Sequence, residues 1–98
     1  MTLDEFKKSL QQANPPEGTS ALLKALWHDG KGDWESAHNI AQDIHTSEGS
    51  LIHAYLHRKE GDLGNASYWY GRAGRTVPNA SVDEEWRNIV TEFLQLKA

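Results

Sequence analysis

The segment ALLKALWHDGKGDWESAHNIAQDIH, residues 21–45, aligns without a gap with SLIHAYLHRKEGDLGNASYWYGRAG, residues 50–74. The offset between the two copies is 29 residues, from residue 21 to residue 50. The identical positions are Leu22/Leu51, Ala25/Ala54, His28/His57, Gly32/Gly61, Asp33/Asp62 and Ala37/Ala66. An internal repeat of this length is typical of proteins that stack small supersecondary units, each too small to bury its apolar face alone.

Each copy is predicted to form a helical hairpin. In the first copy Ser20 is a suitable N-cap, apolar residues recur at helical spacing up to the Gly30-Lys31-Gly32 break, and Asp33 caps the next helix. The second copy repeats this plan around Gly61 and Asp62. Two helices approach closely only where side chains are small. The contacts expected on this ground are Ala25 with Ala37 and Ala54 with Ala66.

A further helix is predicted on each side of the repeat. Thr2 with Glu5, and Ser81 with Glu84, have the spacing of capping boxes, and each pair precedes an apolar stripe at helical spacing. We therefore predict an all-α, single-domain fold over residues 1–98. In it, two stacked antiparallel hairpins, at about residues 20–45 and 49–74, lie between terminal capping helices, at about residues 2–13 and 82–97.

A spaced pattern runs through the second copy. Its members are Ala54, Gly61, Asp62, Leu63, Ala66, Tyr70, Ala73 and Pro78. This pattern resembles the tetratricopeptide repeat, a two-helix unit with small residues where its helices touch, a Gly-Asp-like turn and a closing proline. The first copy shares part of the pattern, so the resemblance covers about residues 20–78. It implies a non-enzymatic binding or assembly module whose partner is a protein or peptide, with self-association as an option.

Composition restricts the classes of function. Ten basic residues against 14 acidic ones give a net charge of -4, and no lysine or arginine cluster is present, so neither nucleic acid nor a membrane is an expected partner. The absence of cysteine, and an opening without the pattern of a secretory signal, predict a cytoplasmic protein. No nucleophile elbow, phosphate-binding loop or dinucleotide-binding pattern occurs. We therefore expect no catalytic residue and no cofactor.

The resemblance also predicts where a peptide would bind. In that family the first helix of each hairpin lines a concave groove, and an extended peptide is its natural ligand. Tyr68 lies outside the apolar arc of its helix and is expected to be exposed. With Tyr55, Arg58 and Lys59 it is the first choice for contact with a partner. The groove residues expected from the two units are Leu22, Leu26 and Asp29, and Leu51, Tyr55 and Arg58.

Five histidines support an alternative function. His53 and His57 are four residues apart, which places two imidazoles side by side on a helix, and His28 is the repeat equivalent of His57. His28, His53 and His57 are therefore the alternative site, which would bind a metal ion or a small molecule. Weak hydrolysis is the reaction that such a site would support. Helical projection places His53 and His57 towards solvent, whereas the repeat register places His57 inside its hairpin, bonded to a neighbour. No cysteine or HExxH motif completes a zinc site, so we favour packed or surface histidines.

Two packing expectations complete the sequence analysis. Gly64, Ser67 and Gly71 form a narrow, smooth stripe on the fifth helix. We expect the final helix to pack against it, and the alternative is a ligand or a second subunit. Four tryptophans lie on the apolar arcs of their helices, which predicts that they belong to the core. They are Trp27, Trp34, Trp69 and Trp86.

Overall fold

The computed structural model describes residues 1–96 and consists of six α-helices. They are α1 (Leu3–Ser9), α2 (Ala21–Gly30), α3 (Trp34–Gln42), α4 (Ser47–Lys59), α5 (Leu63–Arg72) and α6 (Val82–Leu94). Residues 1–96 contain no β-strand, so the predicted all-α class is confirmed. No helix in this range is both long enough and apolar enough to cross a bilayer.

The terminal helices differ in length from the prediction. α1 ends at Ser9 and not near residue 13, because the next three backbone amides bond to the carbonyl three residues back, the tighter pattern of a 3₁₀ turn. α6 ends at Leu94. The predicted final helix extends to residue 97, which lies outside the described residues.

The two hairpins turn in the same way. Gly32 has a φ of 86° and Gly61 a φ of 89°, a left-handed conformation that residues with a side chain rarely adopt. The aspartate after each glycine then accepts a hydrogen bond from the backbone amide three residues on, at 3.1 Å for Asp33 and 3.2 Å for Asp62. Each Gly-Asp pair therefore ends one helix and starts the next.

Small residues are buried where the helices pack. α2 packs on α3 and α4 on α5, while α3 packs on α4 and so joins the two hairpins. The four alanines that the sequence predicted at these contacts, Ala25, Ala37, Ala54 and Ala66, are all buried. A larger side chain at any of these positions has no room unless the helices move apart.

Ala66→Leu should therefore lower the free energy of unfolding by about 1 to 3 kcal/mol, because the added atoms overpack the contact between α4 and α5. Urea denaturation measures the change. Ser67→Leu is the matched control, since Ser67 is the next residue and is exposed, and its effect should stay within about 0.5 kcal/mol. Equal effects of the two substitutions would contradict the packing described here.

The final helix lies across the first helices of both hairpins. α6 packs on α2 and α4, and also on α1. The Trp86 indole Nε1 donates a hydrogen bond to the Leu26 carbonyl at 3.0 Å, and Ile89, Val90 and Phe93 bury their side chains in the same core. The apolar face of this terminal helix packs along the side that α2 and α4 form together.

The sequence predicts a contact between the final helix and the glycine stripe of α5, and this prediction is wrong. Gly64, Ser67 and Gly71 are exposed, and a Cβ atom added at Gly64 or Gly71 would meet no atom within 4 Å. The stripe remains open because α6 packs on α2 and α4 and leaves this face of α5 uncovered.

Candidate metal centre

Three histidine side chains converge where the two hairpins meet. His38 comes from α3, and His53 and His57 come from successive turns of α4, the helix against which α3 packs. One ring nitrogen from each histidine lies within 4.8 Å of the other two, and Nε2 of His38 is 3.0 Å from Nε2 of His53. His53 is 7% exposed and His57 8% exposed, while His38 is half-buried. The cluster is thus largely shielded and has one partly open side.

Two tryptophans hold the imidazole rings in place. Trp34 stacks on His38, with ring centroids 4.8 Å apart and planes within 11° of parallel. Trp69 stacks on His53 at 4.1 Å and 17°. The Trp34 indole Nε1 also donates to the Leu56 carbonyl at 2.8 Å, which ties this ring to α4. Because Trp34 fixes the His38 ring and Trp69 fixes the His53 ring, the nitrogens of these two imidazoles are held close to one another before any ligand arrives.

A carboxylate orients the third imidazole. Nδ1 of His57 lies 2.6 Å from Oε1 of Glu60, so a neutral His57 donates its Nδ1 proton to this carboxylate. Nε2 is then the nitrogen with a free lone pair. A carboxylate bonded to the far nitrogen of an imidazole is the usual outer-shell partner of a metal-binding histidine, since it fixes the tautomer and makes the ring a better electron donor.

Burial keeps two of the imidazoles neutral. Removal from water lowers the pKa of His53 to about 4, and charge on His38 or His57 acts in the same direction. Burial also lowers the pKa of His38, followed by the effect of charge on His57. Both rings are therefore neutral near neutral pH, and one Nε2 donates a hydrogen bond to the other. A metal ion that binds both Nε2 atoms releases no net proton, because the donor ring carries its proton on Nδ1 in the other tautomer.

The spacing of the nitrogens suits a small transition-metal ion. Zinc binds imidazole nitrogen at about 2.0 to 2.1 Å in tetrahedral geometry, which separates two such nitrogens by roughly 3.3 Å. The distance between His38 and His53 is already close to this value, and one ring nitrogen of His57 lies within 4.8 Å of both. Three imidazoles leave a fourth position for water or another ligand, the arrangement that catalytic zinc sites use.

The structure places only two of the three histidines from the sequence analysis in this cluster. His53 and His57 come together, and their burial contradicts the helical projection. The repeat register correctly predicts a buried His57, but it places this residue inside its own hairpin, whereas the ring lies against Trp34 and His38 of α3. His28 does not join them, because it lies on α2 with its ring against the edge of Trp27. The third member is His38, which the sequence analysis missed.

One sequence signal points to His38. It follows Ala37, whose small side chain is buried in the hairpin core, and lies four residues after Trp34 on the same face of α3. Trp34 and His38 are an aromatic pair next to the buried Ala37, and they face α4 of the neighbouring hairpin. Trp34 and Trp69, which were expected in the core, are half-buried and form the two walls of the cluster.

The predicted peptide groove is occupied by the chain itself. Leu26, Asp29 and Leu51 are buried and Leu22 is half-buried, since α6 lies on this face of α2 and α4. Tyr55 was expected to be exposed but is only 1% exposed. Its hydroxyl donates to Oδ2 of Asp29 at 2.6 Å, and Lys59 Nζ donates to Oδ1 of the same carboxylate at 2.9 Å. A local pattern on one helix could not reveal this acidic partner on another.

A second set of polar bonds accounts for Arg58. Its Nη1 donates to Oε1 of Glu85 at 2.7 Å, and the Tyr70 hydroxyl donates to Oε2 at 2.6 Å. Arg58 also donates to the Ala80 carbonyl. Tyr68 alone among the expected contact tyrosines is open to solvent, at 57% exposure.

No protein-family model, curated protein or solved structure matches the chain.

Proposed function

We propose that the protein binds a single zinc-class transition-metal ion through His38, His53 and His57. The observation that carries this proposal is the convergence of three imidazole nitrogens within 4.8 Å of one another. Imidazole is a ligand for zinc, copper, nickel and iron, whereas magnesium and calcium prefer oxygen. Zinc suits the site best, because it accepts four-coordinate geometry with three histidines and one exchangeable ligand.

The surroundings of the cluster favour metal binding over plain packing. A histidine that serves only for packing needs one hydrogen-bond partner for each ring nitrogen, and ordinary polar neighbours can supply both partners. Here three imidazoles face one another, two have lowered pKa values, and Glu60 holds Nδ1 of His57. A metal ion would replace the hydrogen bond between the His38 and His53 rings with two direct bonds to nitrogen.

Zinc titration of metal-free protein by calorimetry tests the proposal. The wild-type protein should bind one ion, and His38→Ala, His53→Ala and His57→Ala should each weaken binding by roughly 100-fold or more, since each removes a direct ligand. His28→Ala and His45→Ala are matched controls that should leave the affinity unchanged, because neither residue belongs to the cluster.

His38→Ala is the decisive variant. Its side chain is only half-buried, so this substitution disturbs folding least, and circular dichroism establishes that the variant remains helical. A wild-type protein that binds no zinc, or a His38→Ala variant that binds it as tightly as the wild type, would overturn the proposal.

The protein or peptide partner, self-association and cytoplasmic location expected from the sequence stay predictions. Tyr68 is the part of the expected contact surface that is most open.

A further inference from the structure

We infer that the cavity beside the histidine cluster holds a small organic anion, whose carboxylate or phosphate group is bound by Arg72 next to the metal centre. The inference rests on the proposed function, because it gives the metal centre its ligand class. The juxtaposition that carries it is an open cavity of about 550 Å³ that is lined by His53, Trp69 and Arg72 together.

The cavity shares its wall with the metal centre. His53 and the Trp69 ring stacked on it line the space, so a molecule inside lies against one of the three metal ligands. A volume of this size is typical of small-molecule sites. The remaining lining residues come from the end of α3, the connection to α4 and the first turn of α4: Ala41, Gln42, Ile44, His45, Thr46, Ser47, Gly49 and Ser50.

The charge of the cavity favours an anion. The chain carries 14 acidic residues and a net charge of -4, yet no aspartate or glutamate lines this cavity. Its permanent charge is that of Arg72, and bound zinc would add two further positive charges. The lining also contains three residues of the first turn of α4, Ser47, Gly49 and Ser50, where the helix dipole is positive. Each of these features attracts a negative ligand.

Arg72 is available to bind such a ligand. Its guanidinium carbon lies 5.6 Å from the centre of the Trp69 ring and 6.0 Å from that of Tyr68, and Nη1 donates to the Tyr68 hydroxyl at 3.3 Å. Within residues 1–96 no carboxylate forms an ion pair with it, in contrast to Arg58 and Arg75. A guanidinium held on aromatic rings presents its remaining N–H groups as a fork that matches carboxylate and phosphate oxygens.

The cavity also suits the rest of such a molecule. Ala41, Ile44 and the Trp69 ring provide apolar surface. The Thr46 hydroxyl accepts a hydrogen bond from the Gly49 amide, which leaves its own proton to donate to a ligand. An anion with a short aromatic or alkyl body therefore fits better than a bare inorganic ion.

The experiment measures the binding of benzoate and phenyl phosphate by calorimetry, with neutral benzyl alcohol as the uncharged control. Zinc-loaded protein should bind at least one of the two anions, and it should bind that anion several-fold more tightly than metal-free protein does, since the metal charge lies beside the site. Arg72→Gln should weaken anion binding by roughly tenfold or more while the zinc affinity stays unchanged. Arg87→Gln, an exposed arginine on α6, is the matched control and should have no effect on either measurement.

The outcomes separate this inference from the proposed function. If the protein binds one zinc ion through the three histidines but neither anion binds, or Arg72→Gln has no effect, the inference is overturned and the metal site stands. Equal anion affinity with and without zinc also overturns it. If zinc itself fails to bind, both the metal site and the anion beside it are lost. Which of the two anions binds decides between a carboxylate and a phosphate ligand.

Discussion

Glu85→Ala is expected to lower the free energy of unfolding by about 3 kcal/mol. The Glu85 side chain on α6 is almost completely buried and accepts hydrogen bonds from Arg58 of α4 and Tyr70 of α5. Alanine removes the acceptor and leaves a guanidinium and a phenol hydroxyl without this partner at the junction of three helices. The loss is large because a charge left unpaired in a buried place keeps its desolvation cost.

Urea denaturation of Glu85→Ala and Glu92→Ala makes the comparison direct. Glu92 lies on the same helix and pairs with Arg75, but both of these side chains are largely open to solvent. Exposed ion pairs contribute only about 0 to 1 kcal/mol, so Glu92→Ala should have a small effect. If the two variants lost equal stability, the Glu85 pair would be no more important than a surface pair.

Three of the residues first assigned to partner contact, Tyr55, Arg58 and Lys59, have a structural role here. Tyr55 and Lys59 bind Asp29, while Tyr70 and Arg58 bind Glu85. In each set one carboxylate accepts from a tyrosine and a cation. The first set joins α4 to α2, and the second joins α4 and α5 to α6. These bonds, together with the apolar face of α6, hold closed the groove that was expected to receive a peptide.

Much of the fold follows from short-range signals in the sequence. Ser20, Asp33, Asp62 and Ser81 each cap the helix predicted for them, because an N-cap bonds to an amide only three residues away. The placement of α6 does not follow from such signals. Its apolar face indicates that it packs against something, but several surfaces of similar apolar character are candidates, and only long-range packing selects the side formed by α2 and α4.

The histidine cluster, too, can be predicted only in part from short-range signals in the sequence. The four-residue spacing of His53 and His57 is visible in the sequence, whereas His38 reaches them only because α3 packs on α4. His38 aligns with Ser67 in the repeat, so comparison of the two copies finds no histidine there. His28 matches His57 in sequence but lies on α2, whose helix contacts are with α3, α4 and α6, whereas His57 lies on α4, which packs on α3 of the other hairpin. Equivalent residues in the two copies of the repeat therefore have different neighbours.

The metal-free protein should lose stability as the pH falls, and His53 alone should account for about 2 kcal/mol after allowance for solvent screening. Burial lowers the pKa of His53 from 6.5 to about 4. Above pH 6.5 neither the folded nor the unfolded protein binds a proton at this ring. Between pH 6.5 and about 4 only the unfolded chain binds one, which favours unfolding. Below about 4 both forms are protonated, and no further loss arises from this group.

The groups that face His53 contribute to the same pH range. The lowered pKa of His38 adds a loss of the same sign, and the charge of His57 acts on both rings. Urea unfolding with a chelator present, followed from about pH 7 to about pH 4.5, measures the total slope. His53→Gln should give a shallower slope than the wild type, while His45→Gln, outside the cluster, should reproduce the wild-type slope. Equal slopes for His53→Gln and the wild type would mean that burial does not hold this imidazole neutral, and its lone pair would then be lost to a proton at mildly acidic pH.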